Sequence, residues 1–220
     1  MGWFTKFIES SLGKKLVMAL TGVLLMLFLT VHFIGNMFLY FGPAAFQKYV
    51  ETLEAVKPLV RVVEVLLALL FISHIFTGVR LWLLSKKSNP KKYAVNASSE
   101  NSNIFSRSMA ITGSVIFIFL IIHLSTFWAG FNFAKHPNTG FPFYEMVAEW
   151  FSNIYYSLFY IIAMGFLGFH LNHAFQSAFQ TFGINHKKYT PFIKKIGTVY
   201  AIIMALGFAS IPIYFLLGGR

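Results

Sequence analysis

Five of the seven histidines in this chain, His32, His74, His123, His170 and His173, fall inside apolar stretches. The other two, His136 and His186, sit beside Pro137 and Lys187 and are expected to be solvated. A neutral imidazole in apolar surroundings can ligate a metal or relay a proton. Ionisable residues are costly in hydrocarbon, so each such histidine is a functional candidate. A lone buried histidine is more often a packing residue, but one near mid-depth in each of four stretches is a pattern. There is no cysteine, which removes disulfides, thiolate-held iron–sulfur clusters and covalent c-type haem attachment.

The elements that must position these residues are apolar helices. The chain is 57% hydrophobic and 11% charged, about half the charge of an ordinary soluble domain. Five stretches are long enough to span a bilayer, at about 15–41, 59–84, 109–131, 154–182 and 196–217; each needs roughly 20 apolar residues. The expected fold is therefore an all-α integral membrane protein of five transmembrane helices, forming one domain over 1–220. Residues 1–14 alternate Trp3, Phe4, Phe7 and Ile8 with Lys6 and Glu9, which suits a short interfacial helix and not a cleaved signal. Pro43, Pro58, Pro90, Pro137, Pro142 and Pro191 fall in the connections, where helices are expected to stop. Pro212 lies within the fifth span and is expected to kink it. The stretch Ser85–Ser108 reads as an exposed loop.

The formal charge is +11, yet the basic residues are confined to short connections, which points to membrane orientation and not to nucleic acid. One side receives Lys6, Lys14, Lys15, Arg80, Lys86, Lys87, Lys91, Lys92, Arg107, Lys187, Lys188, Lys194 and Lys195. The other receives only Lys48, Lys57, Arg61, Lys135 and Arg220. The positive-inside rule then puts the N-terminus in the cytoplasm and the C-terminus outside, in a cytoplasmic (inner) membrane.

Depth along alternating spans sorts the histidines into layers. His32 and His123 come out roughly 12–14 Å from the outer end of their spans, and His74 and His170 roughly 15–18 Å from the inner end. Two layers of two imidazoles are the pattern for two bis-histidine haems in a four-helix bundle. His173, one turn beyond His170 on nearly the same face, is an alternative ligand or haem contact. Gly35, Gly78 and Ala174 follow a histidine by three or four residues and either give porphyrin room or pack helices. The first and third spans also repeat. Met18–Phe33 reads MALTGVLLMLFLTVHF and Met109–Leu124 reads MAITGSVIFIFLIIHL. Both carry Met-Ala-x-Thr-Gly, then Phe-Leu, then a histidine ten residues after the glycine, so the two spans are expected to do equivalent jobs.

With one histidine per span at intervals of forty to fifty residues, the chain resembles a family. It is similar to the single-subunit, five-helix, dihaem cytochrome b anchor of succinate dehydrogenase and fumarate reductase. The resemblance covers nearly the whole chain. Its local pieces are Lys14-Lys15 and Met-Ala-x-Thr-Gly before His32, Gly35-Asn36 after it, Arg107-Ser-Met-Ala before His123-Leu124, and Ser177 and Phe182-Gly183 after His170. It implies haem ligands at His32, His74, His123 and His170, two haem b cofactors, and electron transfer with a membrane quinone, typically menaquinone. It also implies two cytoplasmic partners, a flavoprotein with covalent FAD and an iron–sulfur subunit, which would hold the dicarboxylate chemistry. Some relatives place a proton-path glutamate two residues before the span-four ligand; here that residue is Gly168, so this path is not carried over. Glu51 and Glu54 are candidates for proton exchange at a quinone site near the outer haem, against the plainer reading of surface glutamates, and Glu64 lies slightly inside span two. One rival reading is a dihaem anchor of another oxidoreductase, such as a hydrogenase or formate dehydrogenase. A second is a haem-free transporter with histidine relays, which the lack of broken helices and intramembrane carboxylates disfavours.

Overall fold

A computed structural model describes residues 2–87, 108–133 and 142–219. Most of the Ser85–Ser108 connection, with Pro90, Lys91, Lys92 and Arg107, lies outside the described residues. So do Lys135, His136, Pro137 and Arg220.

Among the described residues the chain is all-helical, with no strand. Helix α1 covers Trp3–Glu9, and Ser10 caps α2 by accepting from Gly13 N at 2.9 Å. Helix α2 runs Ser11–Phe41, closing in a 3₁₀ turn; α3 is Pro43–Ala55, α4 Lys57–Lys87 and α5 Met109–Phe133. Helix α6 is Pro142–Ser152, α7 Ile154–Thr181 and α8 Thr190–Leu216. Asn153 caps α7 by accepting from Tyr155 N and Tyr156 N at 3.0 and 3.1 Å. Helices α2, α4, α5, α7 and α8 are each long and apolar enough to cross a membrane. Their outer faces agree with that length. Leu20, Leu24, Leu27, Val31 and Ile34 form an exposed apolar stripe at helical spacing along α2, the face a lipid environment covers. The protein is a multi-pass membrane protein by this architecture.

The prolines behave differently from expectation. Pro43 and Pro142 open α3 and α6, and Pro191 and Pro58 sit in the first turns of α8 and α4. The first helical turn has no use for the missing N–H and welcomes the fixed φ, so these prolines start helices. Two connections are consequently helices. The swing from α2 into α3 is made at Gly42, whose φ of 89° suits glycine. Pro212 is fully buried inside α8.

Helices α3 and α6 pack on each other, and α6 also packs against α7 and α8. Their inward faces join the ends of the spans in one cluster of Leu39, Phe46, Phe127, Phe143, Tyr144, Val147, Phe151, Tyr160, Ile211 and Phe215. Phe131 of α5 meets Phe143 of α6 at 5.0 Å between ring centres. Burial, with Tyr214 beside it, pushes the Tyr144 phenol up to about 12, so it packs as a neutral ring. This shared cap puts the C-terminal ends of α2 and α5 beside the N-terminal end of α7, and Arg61 and Glu64 tie the N-terminal end of α4 to Asn132 and Trp128 of α5, so the four helices alternate in direction. The closely packed pairs among the long helices are α7 with α8, α2 with α4, α2 with α7 and α5 with α7, with a lighter contact between α2 and α8. A second cluster, Met26, Leu171, Ala201 and Met204, seals α2, α7 and α8.

Candidate functional site: two facing histidine pairs

Four helices deliver four histidines into two facing pairs. The rings of His32 (α2) and His123 (α5) lie 5.8 Å apart between centres, with an interplanar angle of 88°. Those of His74 (α4) and His170 (α7) lie 6.4 Å apart at 66°. The helices that share a pair, α2 with α5 and α4 with α7, are not among the closely packed ones. Each pair therefore reaches across a diagonal of the four helices. His32 and His123 are the pair nearer the α3–α6 cap.

The internal repeat positions both pairs. Thr21 Oγ1 donates to Val17 O at 2.8 Å, its usual bond to the preceding turn, and lies 3.1 Å from His74 Nδ1. Thr112 Oγ1 bonds Met109 O at 3.2 Å and lies 3.2 Å from His170 Nδ1. The glycine that follows each threonine faces the same ring: a Cβ at Gly22 would sit 3.4 Å from His74 Cε1, and one at Gly113 would sit 3.7 Å from His170 Cε1. The repeated phenylalanine serves the other pair. Phe28 stacks on His32 and Phe119 on His123, both at 5.5 Å, with interplanar angles of 21° and 25°. Eleven residues separate Thr21 from His32 and Thr112 from His123, so the two levels are about 16 Å apart along the helices.

The cap-side pair has less symmetric surroundings. His123 Nδ1 lies 3.2 Å from the Tyr160 hydroxyl, which accepts from the Tyr156 hydroxyl at 2.8 Å. Asn36 Nδ2 donates to the carbonyl of His32 at 2.8 Å and lies 3.3 Å from its Nε2. Phe208 of α8 closes over His32 at 5.9 Å. Immediately after His123 the helix makes a π turn over Leu124–Trp128, a distortion frequent at functional sites. It contains Phe127, whose ring lies 5.5 Å from His123.

Other residues singled out in the sequence sort differently. His170, not His173, faces His74; His173 is half-buried one turn away. His186 is exposed and accepts from Lys188 N. Gly35 makes room for the Tyr49 ring of α3, and Gly78 contacts Met18 of α2, so both serve protein packing. Gly168 packs against α8, where a Cβ would come 2.9 Å from Ala205 Cβ. Glu51 and Glu54 are exposed on α3, where Glu51 accepts from Gln47 and Glu54 pairs loosely with Lys57 at 3.7 Å. Glu64 is the carboxylate that joins spans. It accepts from Arg61 at 2.6 Å and from Trp128 Nε1 of α5 at 3.2 Å, while Arg61 also bonds Asn132.

The ring-centre separations of 5.8 and 6.4 Å are near those of a bis-imidazole metal site. A metal–imidazole bond is about 2.0–2.1 Å, so two of them in line place the ring centres about 6.3 Å apart. Among the described residues no third His, Asp or Glu joins either pair. Two protein donors suit a metal whose remaining positions come from a macrocycle. No family profile, curated protein or solved structure matches this chain. Its functional reading therefore rests on its own residues and geometry.

Proposed function

We propose that this protein is the dihaem cytochrome b anchor of a succinate:quinone oxidoreductase. The carrying observation is the two facing histidine pairs, one per bundle diagonal and about 16 Å apart along the helices. His32 and His123 would hold one haem b, and His74 and His170 the other. A haem held at each pair would supply one-electron exchange. The chain's own part is to fix four imidazoles, to exclude water from them with Phe28, Phe119 and Phe208, and to orient three of their Nδ1 atoms with Thr21, Thr112 and Tyr160.

The resemblance in spacing and local residues supports the succinate and fumarate enzymes over other dihaem anchors. The chain has no cysteine for clusters, so a flavoprotein and an iron–sulfur subunit would carry the dicarboxylate chemistry. The basic ends opposite the α3–α6 cap, with Lys14, Lys15, Lys86, Lys87, Lys187 and Lys188, would face the cytoplasm and receive those partners. The His74–His170 pair is then the cytoplasmic one. A membrane quinone, menaquinone in the form this chain resembles, is the expected lipid-phase electron carrier. Affinity purification from native membranes tests the assignment. Succinate–quinone activity with co-purifying flavin and iron–sulfur subunits is the expected result. A hydrogenase or formate dehydrogenase subunit in their place would overturn it.

A further inference from the structure

We propose that Thr21 and Thr112 are a matched pair of positioning residues that fix the tautomer of His74 and His170 and so tune one centre only, the one remote from the α3–α6 cap. Where it concerns the tuning of a bound haem, this inference rests on the dihaem reading above; the tautomer itself does not.

Each threonine has a carbonyl of its own helix within reach of its hydroxyl hydrogen, and the hydrogen is assigned there. Thr21 Oγ1 lies 2.8 Å from Val17 O and 3.2 Å from Met18 O, and Thr112 Oγ1 lies 3.2 Å from Met109 O. What remains for the histidine is a lone pair. A hydroxyl lone pair 3.1 or 3.2 Å from Nδ1 then favours the tautomer with its hydrogen on Nδ1. A neutral imidazole has one ring hydrogen, so Nε2 is bare, and it is the atom left to meet a metal. Both threonines are buried, 6% and 2% exposed, so water does not compete for Nδ1 from that side. Helix packing alone would be served by a valine of the same shape.

The arrangement is crossed. The threonines stand on α2 and α5, whose own histidines form the opposite pair, while the rings they hold stand on α4 and α7. The repeat thus explains itself: one copy of Met-Ala-x-Thr-Gly…Phe…His contributes a ligand at one level and a ligand-holder at the other. Among the described residues no threonine stands at Nδ1 in the cap-side pair; Tyr160 is the group beside His123 Nδ1. An Nδ1–H bond to an acceptor makes the ring a stronger donor through Nε2. That stabilises the oxidised metal, so losing the bond raises the midpoint potential.

The test uses the full chain labelled with ¹⁵N-histidine, haem-depleted and haem-loaded. In the depleted protein His74 and His170 are expected to show hydrogen on Nδ1. Thr21→Val shifts His74 alone, Thr112→Val shifts His170 alone, and Thr→Ser restores each. In the loaded protein both valine variants raise the midpoint of the same one of two components, the one lost in His74→Ala, and leave the other unmoved. Hydrogen on Nε2 of either wild-type ring would overturn the proposal, and this needs no variant to fold. Equal shifts of both components, or a shift of the component lost in His32→Ala, would overturn it too. Protein that keeps the Nδ1 pattern yet binds no haem would overturn the dihaem reading and uphold the tautomer assignment.

Discussion

His74 and His170 face each other at 6.4 Å across two helices that are not close neighbours. A packing contact between histidines would be expected on touching helices. A pair that spans a diagonal is the arrangement in which two imidazoles from separate helices could ligate one group. His32 and His123 repeat the relationship at 5.8 Å on the other diagonal.

Single replacements should therefore group by pair. His32→Ala and His123→Ala are expected to remove the same component of a redox titration monitored optically, and His74→Ala and His170→Ala the other. His173→Ala should keep both. Retention of both components in His170→Ala, with loss in His173→Ala, would reassign the ligand.

Tyr160 offers a graded test of the cap-side centre. Tyr160→Phe removes the hydroxyl beside His123 Nδ1 and, with it, one partner of the Tyr156 hydroxyl. Its expected cost is about 1 kcal/mol of stability. The cap-side component should remain but shift its midpoint, while the other stays fixed. A variant with both midpoints unchanged would show that the hydroxyl does not act on His123.

Bulk beside the other pair should act selectively. At Gly22 a Cβ would lie 3.4 Å from His74 Cε1, so alanine is tolerated with a small adjustment and leucine is not. Gly22→Leu is expected to lose the His74–His170 component, with the His32–His123 component kept. Loss of the cap-side component first would contradict the placement of Gly22.

Gly168 reports on packing and not on chemistry. A Cβ there meets Ala205 of α8 at 2.9 Å. Gly168→Ala should cost about 1–3 kcal/mol through overpacking. A lowered melting temperature with both optical components intact is the expected result.

What could be read in advance follows physical range. The five spans were legible because hydrocarbon thickness imposes a length and a composition. Helix α1 was legible from the alternation of Trp3 and Phe7 with Lys6 and Glu9. Counting depth along alternating helices puts His32 level with His123 and His74 level with His170, because a rigid rise per residue carries level information over the whole bilayer. Helices α3 and α6 were not legible. Pro43 and Pro142 read as stops, although the same chemistry starts a helix as readily as it ends one. Gly35 was read as a candidate for cofactor room, and it is filled by Tyr49, a residue of a helix that the sequence did not reveal. The Thr-Gly of the repeat was visible as a pattern, but its partner ring lies on another helix. No local rule connects Thr21 to His74 or Thr112 to His170.

Two haem b groups on His32, His123, His74 and His170 are the expected complement. This complement is tested most directly by pyridine haemochrome quantitation on the purified chain, made with adequate haem supply, together with its reduced-minus-oxidised spectrum. Two low-spin b-type haems per chain are expected. Protein that is folded and helical but carries no haem would contradict the dihaem reading.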